Sequence, residues 1–342
     1  MFRFFESLVD PYPMRVPEAP PRQLWAFILY YSRPVLPWLI AVGVLTALVS
    51  AAEIYFFDWI GRIVDWTANE SPDGFWGRHK AELLAVGVAV LVIYPLLVMF
   101  QALFVHQTLL GNYPMIARWL SHRYLLRQSV SFFQDEFAGR VSQKVMQTAL
   151  AIRETVLKLL DAFVYVLVYF IGTLVLAFNS DAWLALPLVL WLLGYIALVR
   201  FFVPRLQAVS MAQSDARAQM TGRIVDSYAN IQTVKLFAHT AREQDYARDA
   251  MDSFLVTVHR QMRLVTLLTT SLHTLNALLL AGTAAVAIYV WMHGGISGGA
   301  MAVAIALVMR IRSMSEWVLW EVAGLFENIG TVEDGIGTLA EP

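Results

Sequence analysis

Long apolar runs alternate with basic stretches along this chain, and that alternation leaves few folds open to it. Six runs have the length of roughly 20 residues that a helix needs to cross a bilayer. They cover about Val35–Ile60, Leu83–Leu109, Leu159–Phe178, Ala182–Val203, Leu264–Met292 and Ala300–Trp320. Arginine and lysine collect between them in three places. Arg3, Arg15, Arg22 and Arg33 lead the chain; Arg118, Arg123, Arg127, Arg140, Lys144, Arg153 and Lys158 form a second group; Arg200 through Arg263 form a third. The other connectors hold Arg62, Arg78 and Lys80, then none around Asn179–Asp181 and none around His293–Gly299. Basic residues stay on the cytoplasmic side of a membrane, so the pattern predicts both termini and two large excursions there. A bacterial inner membrane suits this topology.

Composition agrees. The chain is 58% hydrophobic and 15% charged, against about 45–50% and about 25% for soluble domains. Its net charge of -1 gives no field that would select nucleic acid. With no cysteine, disulfides, thiolate metal sites and cysteine nucleophiles are excluded. No His-Glu-x-x-His or other metal-ligand spacing occurs, so no metal site is expected.

The connectors alternate in length. Asn179-Ser180-Asp181 and His293–Gly299 are short, whereas roughly fifty and sixty residues separate the second from the third run and the fourth from the fifth. Loops of that size are rarely structureless. Tyr113–Val130, Val141–Leu160 and Leu206–His259 are poor in glycine and proline and read as helices continuing beyond the membrane. About 25 residues out and back reach on the order of 35 Å. Before the first run, Gln23–Tyr31 is apolar but too short to span, which predicts an interfacial helix with Trp25, Tyr30 and Tyr31 at headgroup level. Pro11–Pro21 reads as an irregular tether.

Both hairpin tips are aromatic, and at the first, three phenylalanines beside Gly139 interrupt the helical run. Phe132, Phe133, Asp135 and Phe137 lie in the first; Asp226, Tyr228, Asn230 and Phe237 lie in the second. Such aromatics either anchor a partner or pack the stalks together, and composition leaves the two open. Within the runs, charge is costly and usually faces a cavity or a partner. Arg310, Arg312, Glu316 and Glu53 are therefore pathway candidates, together with His273 and Asn276 on one face of the fifth run. Arg312 and Glu316 have pairing distance along a helix. Glu53 could instead pair with Arg310 or Arg312 and make a gate. Gln101, His106, His273 and Asn276 have a plainer reading as satisfied interhelical hydrogen bonds.

The stretch Phe132-Phe133…Gly139-Arg140-Val141-Ser142 resembles the first cytoplasmic loop of ATP-binding-cassette (ABC) exporters. Ser142-Gln143 stands where Ser-Arg is common. Asn230–Phe237 followed by Arg242-Glu243 resembles their second loop, and Asn328–Pro342 the end of their membrane domain. The resemblance covers essentially the whole chain. It implies an all-α polytopic fold of six long helices with two long cytoplasmic helical extensions, in a domain-swapped dimer whose fourth and fifth helices cross to the partner. It also implies a division into a tether and elbow helix over 1–33, a transmembrane domain over 34–328 with loops about 111–158 and 204–263, and a junction over 329–342. The tips would be coupling helices seated in nucleotide-binding domains, and the function would be export by alternating access.

No Gly-x-x-x-x-Gly-Lys-Ser/Thr phosphate loop occurs, so this chain carries no ATPase site of that kind. Mg-ATP is expected on a nucleotide-binding domain, either truncated from this sequence or in a separate chain, and the full transporter would be an ATP-hydrolysing translocase. Expected partners are a second transmembrane half, those ATPase domains, the bilayer and an exported substrate. The alternatives are an ion-coupled secondary transporter, against which the absence of paired glycine-proline breaks speaks, and a non-transporting scaffold.

Overall fold

The computed structural model describes residues 2–14, 19–135, 138–236 and 240–340. Among them every regular element is helical: α1 (Phe2–Glu6), α2 (Leu24–Ser32), α3 (Leu36–Asn69), α4 (Phe75–Leu125), α5 (Val130–Asp135), α6 (Gly139–Ser180), α7 (Ala182–Ala229), α8 (Ile231–Leu236), α9 (Thr240–Met292) and α10 (Gly298–Leu339). Among the described residues, five stretches are long and apolar enough to cross a membrane: Leu24–Asn69, Phe75–Leu125, Gly139–Ser180, Ala182–Ala229 and Arg242–Met292. In the most apolar part of α4 only 6% of the residues are buried within the chain. Leu91, Val92 and Ile93 lie bare there. Such a surface suits lipid and not water. The sixth expected span falls on α10, which holds Arg310, Arg312 and Glu316.

The chain divides into two compact units. One comprises 1–185 and 284–342; the other is 186–283. In the first, a core of buried side chains joins α2 to α3, α4, α6 and α10. Phe27 and Tyr31 of α2 are at most 1% exposed while Trp25 is 53% exposed. So α2 has one face sunk in protein and one turned outward. Tyr30 and Tyr31 are thus anchors of this core, whereas Trp25 faces outward. Their burial is possible because polar atoms nearby are satisfied: Tyr31 Oη lies 3.0 Å from Ser121 Oγ, and Ser32 Oγ lies 2.6 Å from Tyr113 Oη.

Ahead of α2, the helix α1 was not legible in sequence. It docks Phe5 edge-on against Phe104 at 5.2 Å, and the Phe5 carbonyl accepts from Thr108 Oγ1 at 3.0 Å.

Three π-helical turns interrupt the long helices, at Ala89–Ile93, Leu103–Leu109 and Lys158–Phe163. A wider turn inserts a residue and rotates the two flanking helical segments relative to each other; such turns are frequent at functional sites. Here they flank or contain Tyr94, Gln101, Lys158 and Asp161.

The second unit is a helical hairpin from α7 and α9. Its register is fixed by Trp191 Nε1 donating to Asn276 Oδ1 at 2.9 Å. Farther along, Arg223 stacks on the Tyr246 ring at 4.4 Å and Ser227 Oγ donates to Glu243 Oε2 at 2.8 Å.

Candidate functional site

The polar side chains of the first unit form rungs along α10. Gly299, Arg310 and Glu321 recur every eleven residues, three helical turns, so they share a face with about 16 Å between successive rungs.

At the start of α10, Asp65 of α3 accepts from the Gly299 backbone N–H at 2.8 Å and from Ser297 Oγ at 2.6 Å. Ser297 in turn caps the helix by accepting from the Ala300 N–H at 3.0 Å. A carboxylate beside uncapped N–H groups at a helix N-terminus is stabilising. The approach is so close that a Cβ on Gly299 would meet the Gly61 carbonyl oxygen and the Asp65 carboxylate. Glycine is required here by space.

One rung on, Glu53 of α3 gathers three donors. Tyr94 Oη donates to Oε1 at 2.9 Å, Tyr165 Oη to Oε2 at 2.6 Å, and Arg310 Nη2 to Oε2 at 3.2 Å. Arg310 Nη2 also lies 2.8 Å from Tyr165 Oη. The side chain of Glu53 is 18% exposed and that of Arg310 42%. This rung ties α3, α4, α6 and α10 through one carboxylate.

Beside these lies a tie without α10. Gln101 Nε2 donates to Thr46 Oγ1 and to Asp161 Oδ1, both at 2.8 Å, and Thr46 Oγ1 donates to Asp161 Oδ1 at 3.1 Å. Lys158 pairs with Glu321 of α10 at 2.9 Å. Toward the far end of α10, Lys144 Nζ reaches Asp334 Oδ1 at 3.1 Å and Thr338 Oγ1 at 3.0 Å.

Of the sequence candidates, the structure brings Glu53 and Arg310 together. Arg312 is exposed and Glu316 half-buried farther along α10. His273 and Asn276 belong to the 186–283 unit. There His273 is exposed, whereas Asn276, 1% exposed, is held by Trp191. Tyr94, Tyr165, Asp161, Lys158, Glu321 and Asp65 were missed. Tyrosines in apolar runs look like core, and Lys158 looks like one more cytoplasmic cation. No group of three or more metal-ligating side chains occurs among the described residues. Nothing in the rungs forms a nucleophile with its base. They are latches between helices.

The tips carry short helices. At the first, α5 presents Phe133, 42% exposed, while Phe132 packs against the core of the unit. The two rings meet edge-on at 5.2 Å. Asp135 ends α5; Phe137 and Phe237 lie outside the described residues. At the second tip, Asn230 separates α7 from α8. Its N–H and its Nδ2 both donate to the Asp226 carbonyl at 3.0 Å, and its own carbonyl accepts from the Val234 N–H at 3.1 Å. Tyr228 is 70% and Leu236 82% exposed.

Just past α3, Glu70 binds His79 Nε2 and Arg78 Nε, each at 3.0 Å, while His79 stacks on Trp66 at 4.0 Å. The hydrogen bond from His79, then that from Arg78, hold the Glu70 carboxyl below its ordinary value of 4.5 despite some desolvation. A depressed carboxyl stabilises the fold fully above its unfolded pKa. That contribution falls away as pH drops below 4.5 toward the lowered value. Amide exchange across residues 66–79 should therefore speed up in that acidic window in the wild type. In Glu70→Gln it should be fast already at neutral pH.

The chain as a whole resembles known proteins. The profile of the family described as "ABC transporter transmembrane region" matches residues 39–314. A protein of Haemophilus influenzae, named "Uncharacterized ABC transporter ATP-binding protein", is 45% identical over 343 residues. The match takes in 100% of this chain and 56% of the relative, so the chain spans little more than half that protein's length. Among solved structures, a bacterial Atm1-family ABC exporter with ATP bound superposes with a TM-score of 0.66 at 15% identity, over 90% of this chain and 54% of that one. At that identity the likeness is one of fold.

Proposed function

Because the chain belongs to the ABC transporter transmembrane region family, we propose that this multi-pass membrane protein is the permease half of an ATP-driven exporter. It forms the translocation pathway and changes access from one side of the membrane to the other. The observation that carries this reading is the pair of short tip helices, α5 and α8, which hold exposed apolar side chains at the ends of long helical stalks. A membrane anchor gains nothing from such levers; a permease driven from outside the bilayer needs them. In this reading 1–33 is the tether and elbow, 34–328 the transmembrane domain and 329–342 the junction to an ATPase domain. That domain binds Mg-ATP and sits against Phe133, Asp135, Phe137, Asp226, Tyr228 and Asn230, with Phe132 backing Phe133 from the core. In this reading the tips and both termini are cytoplasmic and the spans lie in a bacterial inner membrane, which the basic stretches support.

A second copy completes the pathway. The 186–283 unit is a two-helix hairpin with Leu190, Leu193, Ile196, Leu267 and Leu278 all exposed, more apolar surface than a hairpin can cover by itself. Exchange of this hairpin between subunits supports the homodimer. Glu53 and Arg310 then act as a gate, with Arg312, Glu316, His273 and Asn276 along the pathway.

These 342 residues hold no cysteine, so a single cysteine introduced among them is the only thiol of the membrane half. In the full-length transporter, Arg312→Cys should change its labelling by a membrane-impermeant maleimide by at least about tenfold when ATP is trapped. Tyr228→Cys should label only from the cytoplasm. Labelling of Arg312→Cys that follows an ion gradient and ignores ATP would make the protein a secondary transporter, and labelling that follows neither would make it a scaffold.

A further inference from the structure

The helix α1 supplies nothing to the rungs along α10 or to the tips, yet its backbone is fully tied down. A helix leaves its last four carbonyls open, and in α1 all of them are answered. Arg3 O accepts from the Ser7 N–H at 3.1 Å and Phe4 O from Ser7 Oγ at 2.9 Å. Phe5 O accepts from Thr108 Oγ1 and Glu6 O from Asn112 Nδ2, each at 3.0 Å. Two of these four donors are thus side chains of α4. At a helix end in water the solvent fills this role; in an apolar medium the protein has to satisfy each backbone polar group itself.

The side chains divide in the same sense. Phe5 is buried against Phe104, and Val9 just beyond joins the core of the first unit. Phe2 and Phe4, on the two flanks of Phe5 at about 100° per residue, are 57% and 63% exposed. Arg3 and Glu6, on the face away from Phe5, are exposed as well. A five-residue helix with two bare phenylalanines and two outward charges suits a boundary, with rings in hydrocarbon and charges among headgroups.

Two spans fix the level of α1 independently. Phe104 and Thr108 belong to the last turns of the apolar run of α4, which ends near Leu109. Trp38, which stacks on Phe104 at 5.5 Å, lies in the first turn of α3. Both put α1 at the edge of the apolar belt on the side where the tips lie. From there the surface continues along α4, whose most apolar part is only 6% buried within the chain. We propose that α1 is a membrane anchor whose partner is the lipid of that leaflet, the inner one in the orientation proposed above, on which the naming of the leaflet rests. Phe2 and Phe4 insert beside α4 while Thr108 and Asn112 keep the helix end dry. This contact is separate from that of α2, which precedes the first span, whereas α1 holds to the second.

The test uses the full-length transporter in phosphatidylcholine nanodiscs, with any thiol outside these 342 residues replaced and a nitroxide attached at Phe2→Cys or Phe4→Cys. Its collisions with oxygen, relative to those with a water-soluble nickel chelate, should exceed the same ratio at Tyr228→Cys by at least about fivefold, because a polar complex enters an apolar layer poorly. On the wild type, phosphatidylcholine with a diazirine high on its acyl chain should leave adducts on residues 2–6, which keeps the proposal exposed even where a variant fails to fold. Ratios at Phe2→Cys and Phe4→Cys equal to that at Tyr228→Cys would put α1 in water and overturn the inference. So would a nitroxide that neither oxygen nor nickel reaches, since a second copy or the ATPase domain would then cover the helix. Adducts elsewhere on α4 with none on residues 2–6 would overturn it too. Labelling of Tyr228→Cys from outside would reverse the proposed orientation, a failure that the collision ratios at α1 do not share.

Discussion

Glu53→Gln is expected to destabilise the protein by about 2 kcal/mol, the order associated with hydrogen bonds to a charged group, and Arg310→Met by less. The asymmetry follows from the geometry. Removing Arg310 leaves Glu53 with the Tyr94 and Tyr165 hydroxyls at 2.9 and 2.6 Å. Removing the Glu53 charge leaves Arg310 in a membrane-spanning helix with Tyr165 alone, and an unpaired cation there is costly. Arg310 is 42% exposed, which keeps the figure below that for a fully buried pair. The double variant should be no worse than Glu53→Gln, because the second change removes the orphaned cation. Thermal melts of the four proteins close the cycle; strict additivity would show that the two side chains do not act together.

The same pair separates a gate from a cargo site. In a gate, Arg310→Met favours the open state and raises basal ATPase activity in the full-length transporter. For an anion-binding arginine, the variant loses stimulation by an anionic substrate and leaves the basal rate alone. The four rungs along α10 favour the gate. A helix tied at Asp65, Glu53, Lys158 and Lys144 can exchange partners stepwise, and differential contacts between two states are what a driven switch requires.

Much of this fold was legible because burial in lipid leaves a strong mark. Long apolar runs gave the spans, the break at Ser131–Gly139 gave the first tip, and the second was legible only as a stretch around Gly222–Phe237. Glu53 and Arg310 stood out because charge in an apolar run has to be answered. The features that escaped notice depend on hydrogen-bond detail. The π-helical turns at Ala89–Ile93, Leu103–Leu109 and Lys158–Phe163 have no residue signature beyond Pro95, yet they lie beside or within the segments that supply Tyr94, Gln101, Lys158 and Asp161. Asp65 was missed for a different reason. The first apolar run fades near Ile60, but the helix continues to Asn69, and only that continuation delivers Asp65 to the start of α10.

Phe132 and Phe133 are adjacent in sequence but should fail in different ways when replaced by serine. Phe132 packs against the core that joins α2, α4, α6 and α10. Phe132→Ser should lower stability by about 2–3 kcal/mol through lost apolar burial, with activity falling in step with folded protein. Phe133 is 42% exposed and Tyr228 70% exposed, so replacing either leaves little cavity behind. Phe133→Ser with Tyr228→Ser should melt within about 0.5 kcal/mol of the wild type, as surface changes do. Yet this pair should lose at least about tenfold in substrate-stimulated ATPase activity, the loss expected when apolar anchors leave an interface. Transport should be lost with it. If the serine pair couples ATP to transport as the wild type does, the force enters the membrane helices elsewhere, and the stalks need another explanation. If it loses coupling and stability together, the aromatics pack the stalks and are not anchors. A folded, ATP-binding, uncoupled protein is the result that makes α5 and α8 the levers.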